Sequence, residues 1–390
     1  GGIAGYANNT PIGEAGKGCS NSGAVTLKTA AGWAHLGGIV GNAVSNTSIV
    51  DATNSGTISS SSTTGDEQRL GGLVGYANAT TIKGTGEKTC INNGPVYITA
   101  ASVLDVCSIG GVVGVATGNT KIKNVYNNNK ISFASNKACY LGGMVGVIEK
   151  NVTIDGCHNL SGGIIECTKA GATYCIGGIL GRGRNWNNTD ADGIVIKNSS
   201  NSAAINAMAT NKSVYAGGIV GIMEQGATGG STNAFEDCIN SGKVTATITS
   251  TAAYYARIGG IAGGISKSNV KIKGCVNDTA GEVKLDNVKS TDASHAGGIV
   301  GYAAQPGDFD GNTNKAKVGG SAAGNVYVGG IWALDSKTAG YTIGTVKNNV
   351  NYGEVYGTAG SGKTLGVGGL FGKITASTID SENKNTNYGN

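Results

Sequence analysis

The chain has 390 residues with a formal charge of only +5, and its 69 Gly, 3 Pro and 14% charged residues depart from an ordinary soluble domain, in which about 25% are charged. Periodic Val, Ile and Leu with so little charge exclude a disordered chain, and the scattered Lys residues make nucleic acid an unexpected partner. No apolar run approaches the ~20 residues that span a bilayer, so we expect no membrane insertion of this segment.

A two-part signature recurs eleven times along the chain. Its first part is a Gly pair, two apolar residues and usually a third Gly; the pairs begin at Gly1, Gly37, Gly71, Gly110, Gly142, Gly177, Gly217, Gly259, Gly297, Gly329 and Gly368. Its second part ends in an asparagine, and these are Asn21, Asn54, Asn92, Asn127, Asn159, Asn201, Asn240, Asn277, Asn314, Asn351 and Asn387. The pairs recur every 36.7 residues on average, which is typical of a solenoid whose units must stack to bury their apolar faces.

Each unit reads as three short strands. The first contains the Gly pair, as in Leu70–Ala77, the second precedes the Asn, as in Thr120–Val125, and the third follows it, as in Ile131–Phe133. Alternation with period two and many β-branched residues indicates strands, and no segment has a helical period. We therefore predict an all-β, right-handed parallel β-helix of about ten to eleven coils of roughly 37 residues, with almost no helix.

The repeat occupies residues 1–390, so we expect a single array in place of several domains. Solenoids need polar caps at their open ends, and neither end of the sequence carries a segment that looks like one. We therefore expect the chain to be part of a longer protein.

The eleven asparagines predict a structural ladder. A Gly two residues after the Asn supplies the positive φ of a tight corner in Asn54-Ser-Gly56 and Asn351-Tyr-Gly353. Stacked coils would bring the Asn side chains into a row in which each amide bonds to the next. The alternative is a ligand site repeated in every coil.

Nine cysteines leave a disulfide question open. Five of them share the slot two residues before the Asn, where other units have Ala, Val or Ser: Cys19, Cys90, Cys157, Cys238 and Cys275. Cys238 with Cys275, and Cys107 with Cys139, fall at equivalent positions in adjacent coils, close enough to raise the possibility of a bridge. An odd count and an in-register stack favour free thiols buried in the interior.

Two adjacent rows of the signature are apolar in every unit, for example Leu73 and Val74. Because neighbouring residues of a strand point to opposite faces, one row must face away from the interior of the coil. Either loop insertions or a neighbouring segment cover that row, or it forms a stripe for side-by-side association with another copy.

Two acidic loops resemble cation sites. Asn188, Asp190 and Asp192 place oxygen ligands at alternate positions before Gly193, as in loops that wrap calcium, although the carboxylate expected at the twelfth position is Ser199. Asp308 and Asp310 are a shorter echo of the pattern. Calcium is the only cofactor that the sequence suggests, and exposed acidic turns explain both loops equally well.

No residue pattern supports catalysis. Gly357–Thr364 matches the phosphate-loop pattern, but the residues that follow form the first strand of a repeat, where that site needs a helix. The three histidines are far apart in the repeat, and no Ser-His-Asp or Cys-His group is in reach. We identify no catalytic residue and predict that the chain is not an enzyme.

The segments Gly72-Leu-Val-Gly75, Gly38-Ile-Val-Gly41 and Gly218-Ile-Val-Gly221, together with Cys-x-Asn-x-Gly-x-Val at 19, 90 and 238, resemble those of GLUG-repeat proteins of bacterial surfaces. The unit at Gly329-Gly-Ile-Trp-Ala333 departs from the motif because it lacks the closing Gly. The resemblance implies a secreted or surface-attached, adhesin-like protein, and it carries over no catalytic residue.

On this basis we expect an extracellular structural or adhesive segment of a bacterial surface protein: a stalk, fibre or display scaffold. Its expected partners are other copies of itself, bound laterally or end to end, or a protein or glycan of a host or bacterial surface. The alternative is a carbohydrate-active β-helix enzyme or a glycan-binding module. Carboxylates clustered in one groove would favour the enzyme.

Overall fold

The computed structural model describes all residues except 31, 100–105, 135–137, 170–173, 185–192, 225–232, 267–269, 305–306, 336–343 and 376–383. The described residues form strands, turns and bends, and none of them is helical. The chain is a β-solenoid of about nine turns of about 37 residues, built entirely from parallel strand pairs between successive turns. Among the described residues, no helix is long and apolar enough to cross a membrane.

Every turn passes through five parallel sheets, which we number in the order in which the chain enters them. The first sheet comprises Ala4–Asn8, Val40–Val44, Val74–Asn78, Val113–Thr117, Val145–Ile148, Leu180–Gly183, Val220–Met223, Ala262–Ile265, Val300–Ala303, Trp332–Asp335 and Phe371–Lys373. The second comprises Pro11–Ile12, Ser48–Val50, Thr81–Lys83, Thr120–Lys123, Val152–Asp155, Ile194–Lys197, Asn233–Glu236, Val270–Lys273, Phe309–Asp310 and Val346–Lys347.

The third sheet contains the ladder asparagines in the strands Ser20–Asn21, Thr53–Asn54, Cys90–Asn92, Val125–Asn127, His158–Asn159, Ser200–Asn201, Ile239–Asn240, Val276–Asn277, Thr313–Asn314, Val350–Asn351 and Thr386–Asn387. The fourth comprises Val25–Leu27, Ile58–Ser60, Val96–Ile98, Ile131–Ala134, Ile165–Lys169, Ile205–Ala209, Val244–Ile248, Val283–Val288, Val318–Ala322 and Val355–Thr358. The fifth comprises Ala34–Gly37, Glu67–Gly71, Val106–Gly110, Ala138–Gly142, Tyr174–Gly177, Val214–Gly217, Ala256–Gly259, Ser294–Gly297, Val326–Gly329 and Leu365–Gly368.

The prediction of three strands per coil is wrong, because two of the three contain a corner. The predicted strand Leu70–Ala77 is divided between the fifth and first sheets, with the bend at Gly72 and Leu73. The predicted strand Thr120–Val125 breaks at Asn124, whose φ of 53° is in the left-handed region. Other turns place Gly156, Asn198, Asp237 and Gly274 at this corner with φ of 62°, 50°, 50° and 64°, since Gly, Asn and Asp tolerate that conformation best.

The eleven asparagines lie in one continuous hydrogen-bonded row along the axis. Each Nδ2 donates to the Oδ1 of the Asn in the next turn, over distances of 2.7 to 2.9 Å from Asn21 to Asn387. Most also close their own corner; the Nδ2 of Asn92, for example, donates to the carbonyl oxygen of Gly94 at 2.8 Å. From Asn54 to Asn351 the row is completely buried.

The Gly pair and the Asn of the signature are two sides of one contact across the core. A Cβ on Gly72 would overlap with the backbone oxygen of Gly111 and with the side chain of Asn92. A Cβ on Gly178 would meet Asn201 in the same way. The backbone at the second Gly therefore lies directly against the ladder, which only a residue without a side chain permits.

This contact divides the buried interior into two hydrophobic clusters. One is enclosed by the first, second and third sheets and includes Val74, Ile122 and Val125. The other is enclosed by the fourth and fifth sheets and includes Ile131, Leu141 and Val96. The solenoid therefore has two apolar lobes joined at a polar waist.

Both interpretations of the two adjacent apolar rows are wrong. Leu73 and Val74 are each 0% exposed and belong to the same interior cluster. Val112 and Val113 are also both buried in that cluster. The chain turns a corner just before the second residue of each pair, so both side chains point inward, and no apolar stripe remains at this position for side-by-side association.

None of the nine cysteines, all of which lie in the described part of the chain, forms a disulfide bond, and all except the half-buried Cys19 are buried. In the last three units Asn312, Asn349 and Asn385 take over the slot of Cys275, and their amides form a second short ladder with bonds of 2.9 and 3.0 Å. Gly357–Thr364 begins with the last two residues of the fourth-sheet strand Val355–Thr358 and ends just before the fifth-sheet strand Leu365–Gly368. No helix follows it among the described residues, so the phosphate-loop match is a strand end and the connection to the next strand.

We expect the thiols to be unreactive in the folded chain. Burial raises the pKa of Cys90, Cys107 and Cys157 to about 12, so almost no thiolate is present at neutral pH. An alkylating reagent followed by peptide mass spectrometry should modify Cys19 first and the other eight only after denaturation. Fast labelling of Cys90 or Cys157 in the native protein would contradict this arrangement.

An isosteric change in the ladder, Asn201→Asp, should destabilise the fold by about 3–5 kcal/mol at pH 7. The Nδ2 of Asn201 donates to Asn240 Oδ1 at 2.9 Å and to the carbonyl oxygen of Ala203 at 3.0 Å, and a carboxylate oxygen there would face two acceptors. The folded-state pKa of the new acid would be raised, so the loss should shrink as the pH falls. Urea unfolding at several pH values measures this, with the exposed Asn206→Asp as the matched control.

Candidate functional site

The inward bend at the Gly pair creates a groove on the outside of the solenoid, between the fifth and first sheets. We call it the external groove. On the fifth-sheet side it is formed by the row His35, Arg69, Ser108, Tyr140, Cys175, Tyr215, Arg257, His295, Tyr327 and Gly366. On the first-sheet side it is formed by Tyr6, Asn42, Tyr76, Val115, Val147, Arg182, Ile222, Gly264, Tyr302, Leu334 and Lys373.

Side chains from the two rows fill the middle of the external groove. They form a third hydrophobic cluster, separate from the two interior ones, made of Val115, Tyr140, Val147, Cys175, Tyr215 and Ile222. Each of these side chains is at most 7% exposed. In this stretch the groove is a closed seam that stabilises the corner.

Arginines in the external groove are held against aromatic rings. The guanidinium of Arg69 lies 4.5 Å from the ring centre of Trp33 and 4.7 Å from that of Tyr76. Arg182 lies 4.3 Å from the ring centre of Tyr140. Such cation–π contacts contribute about 0.5–2 kcal/mol each, more when water is excluded.

Two of the three groove arginines have a carboxylate partner. Arg69 donates to Glu67 Oε2 at 2.7 Å, and both side chains are almost fully buried. Arg182 donates through Nε to Glu224 Oε2 at 3.0 Å. Because an unpaired buried charge costs several kcal/mol, these ion pairs are what allows arginine to be used here.

Arg257 differs from the other two. Its guanidinium carbon lies 3.5 Å from the ring centre of Tyr302 and 3.9 Å from that of Tyr255, and its Nη1 donates to the hydroxyl of Tyr215 at 2.9 Å. No salt bridge involves it within the described residues. Its Nε, like that of Arg69, is buried without a hydrogen-bond partner there, so the missing carboxylate is what sets Arg257 apart from Arg69.

His295 is the neighbour of Arg257 in the next turn. It is 2% exposed, it stacks on Tyr327 with ring centres 5.7 Å apart, and neither ring nitrogen has a hydrogen-bond partner among the described residues. Burial, Arg257 and Lys373 together hold the pKa of His295 well below its ordinary value, so the ring is neutral at pH 7.

The sequence prediction missed the external groove as a unit. It considered the three histidines only as possible partners in a catalytic site. It did not recognise that the slot two residues before the Gly pair holds Arg, Tyr or His in seven of ten turns: His35, Arg69, Tyr140, Tyr215, Arg257, His295 and Tyr327. The signal available in the sequence was a large side chain that recurs two residues before the Gly pair. It could not be interpreted while the Gly pair was placed inside a straight strand.

The first predicted calcium loop, Asn188, Asp190 and Asp192, lies outside the described residues. Asp308 and Asp310 lie in the described part, on the outward face of the second sheet. Asp308 accepts from the backbone N–H of Thr345 at 3.0 Å, and Asp310 accepts from Asn348 Nδ2 at 2.9 Å and lies 3.8 Å from Lys347 Nζ.

The surroundings of Asp308 and Asp310 do not favour a cation. Lys271, Lys273 and Lys347 line the same shallow depression and already neutralise its acidic groups. In the part of the chain that the structure describes, no three His, Cys, Asp or Glu side chains converge as metal ligands.

Carboxylates on the second sheet are separated by lysines. In successive turns its outward row reads Lys123, Asp155, Lys197, Glu236, Lys273, Asp310 and Lys347. Lys197 lies 3.8 Å from Asp155, and Lys347 the same distance from Asp310. The alternation of lysines and acids makes the outward face of the second sheet a solvated surface on which the charges balance.

Comparison with protein-family models, with curated protein sequences and with solved structures gives no match to this chain. Its function is therefore argued from the geometry described above.

Protonation of the groove histidines should destabilise the fold in mild acid. Burial and Arg69 lower the pKa of His35 to about 4, and burial, Arg257 and Lys373 hold that of His295 well below its ordinary value, whereas an unfolded histidine titrates near 6.5. Between these values the unfolded chain binds more protons, so stability should be full above about pH 6.5 and decline toward pH 4.

The measurement is the free energy of unfolding in urea across that range, for the parent chain and for the double variant His35→Phe, His295→Phe. The variant should show a shallower pH dependence, because its carboxylates still titrate but the two histidines are gone. Equal slopes in the two proteins would show that the histidines are not the cause.

Proposed function

We propose that this chain is a rigid structural segment of an extracellular bacterial surface protein, serving as a stalk, fibre segment or scaffold that displays adhesive loops. The observation that carries the proposal is the unbroken ladder from Asn21 to Asn387, which joins every turn to the next through a hydrogen bond between side-chain amides. Each added turn extends such a stack by about 4.8 Å. A rigid stack of this kind fixes the distance and the direction between the segments attached to its two ends.

The resemblance to GLUG-repeat proteins supports the same proposal, because the Gly pair and the Asn that carry it are the two partners of the contact at the waist. We further propose a right-handed solenoid of ten to eleven coils; the spacing of the signature predicts that number of coils. A segment of this kind works outside the cell, attached to the surface or secreted, and binds other copies of itself or a surface protein or glycan.

The rival function is a carbohydrate-active enzyme built on the same coil. Glycoside hydrolysis needs two carboxylates facing one groove. The acids of the second sheet instead alternate with lysines, and two acids of the external groove, Glu67 and Glu224, are each paired with an arginine. A third acid, Glu149, is close enough to Arg69 and Glu67 to interact with their charges, and burial raises its pKa. This arrangement favours the structural function.

Labelled positions at the two ends of the described stack test the proposal. Gly16 and Gly362 lie in turns where an added side chain would meet nothing within 4 Å, so a short epitope should be tolerated at each. Antibodies bearing gold, applied to intact cells and viewed by electron microscopy, should reach both epitopes and find one consistently farther from the membrane. Confinement to the cytoplasm, or equal distances for the two labels, would argue against the proposal.

A further inference from the structure

We propose that the external groove around Arg257 is a binding site for an oxyanion, a carboxylate or sulfate group, carried by a small molecule or by an acidic glycan. The site is made of Arg257, His295, Tyr302 and Lys373. It goes beyond the structural function proposed above and does not depend on it.

The first argument is the missing partner of Arg257. The other two arginines of the groove, Arg69 and Arg182, face Glu67 and Glu224, whereas the described residues place no carboxylate on Arg257. The segments 225–232, 267–269 and 305–306, which follow the nearest first-sheet strands in the chain, contain no Asp or Glu in sequence. Within the described residues, Arg257 is therefore the groove arginine that lacks a counter-ion.

The second argument is a set of buried polar atoms without partners. The Nε of Arg257 and both ring nitrogens of His295, one of which carries a hydrogen in the neutral ring, are buried and have no hydrogen-bond partner within the described residues. A buried donor left unpaired costs about 1–3 kcal/mol. The Nε of Arg69 and the Nε2 of His35 are unpaired as well, but Arg69 already has Glu67 as its counter-ion. An oxyanion accepts from several donors at once, which suits a guanidinium and an imidazole N–H.

The third argument is that the tyrosines fix the guanidinium in place. Tyr302 and Tyr255 lie 3.5 and 3.9 Å from its carbon, and Tyr215 accepts from Nη1, so the planar group is oriented before any ligand arrives. Arg257 and Tyr302 are half-exposed, in contrast to the closed middle of the groove, so this end is open to solvent. A preorganised cation in a partly dry site binds anions better than a free surface lysine.

The electrostatics around His295 agree with this assignment. Burial lowers the pKa of its imidazole most, and the positive charges of Arg257 and Lys373 lower it further. A bound anion would oppose them and raise that pKa. With only three histidines in the chain, the ring signals can be followed individually.

The test titrates the folded protein at constant ionic strength with sodium sulfate, sodium glucuronate, the polyuronate alginate and, as a neutral control, dextran. Calorimetry gives the affinity and proton NMR follows the Hε1 signal of His295, assigned by its absence in His295→Phe. We expect saturable binding of the anions, a rise in the pKa of His295, and at least a tenfold weaker affinity in Arg257→Gln.

Two controls separate this site from general attraction to positive charge. Arg69→Gln removes a groove arginine that already has a carboxylate, and Lys271→Gln removes an outward-facing lysine of the second sheet; neither should change the affinity. Arg257→Lys, which keeps the charge and adds less risk to folding, should still weaken binding because it loses the planar donors. Circular dichroism confirms that each variant is folded.

Binding of sulfate and glucuronate would identify a general oxyanion site, and binding of alginate alone would identify a polymeric glycan as the source of the carboxylate; both support the proposal. Absence of binding by all three anions overturns it. So does an equal loss in Arg257→Gln and Lys271→Gln, which would show diffuse attraction. None of these outcomes bears on the length or orientation of the solenoid on cells.

Discussion

The contact between the second Gly of each pair and the ladder asparagine determines the rest of this structure. In the middle of each coil's cross-section, the glycine backbone lies against the asparagine side chain. A Cβ at Gly72, Gly111 or Gly178 would therefore overlap with an asparagine. Buried amides must find partners, and here each finds them in the neighbouring turns and in its own corner. Packing and hydrogen bonding at the waist therefore require the same two residue types in every turn.

The Gly–Asn contact has two consequences for the cross-sectional shape of the solenoid. The interior becomes two apolar lobes, one bounded by three sheets and one by two, in place of a single core. On the outside the same bend brings the outward rows of two sheets together, and their side chains must pack against one another. Large aromatic and cationic groups such as Tyr140 and Arg182 fill much of that space.

The sequence predicted that the coils stack, but it did not predict the cross-sectional shape of one coil. Regular recurrence of the Gly pair and the Asn established parallel turns and the period, since in-register stacking repeats any residue that has a fixed place. The number of strands was wrong because a corner at Leu73 or Asn124 looks the same in sequence as the middle of an apolar or polar alternation. The direction of Leu73 and Val74 was wrong for the same reason.

The external groove was beyond sequence reasoning because its residues vary in type from turn to turn. Arg69, Tyr140 and His295 share a slot but neither charge nor size, and only their convergence with Tyr76, Arg182 and Tyr302 from another sheet reveals a common place. Contacts between side chains of the fifth and first sheets depend on the angle of the bend at the Gly pair. The acidic pair Asp308 and Asp310 shows the opposite case, in which a local pattern was visible but the lysines of adjacent turns, brought close only by stacking, change its meaning.

The asparagine row also has a polarity. Every amide points its nitrogen toward the following turn and its oxygen toward the preceding one, from Asn21 to Asn387. One end of the row thus offers an acceptor and the other a donor, as do the two poles of a stack of aligned dipoles. Any further coil that continues the row, whether from the same polypeptide or from a second molecule, has to join it head to tail, because two like ends would set oxygen against oxygen or nitrogen against nitrogen.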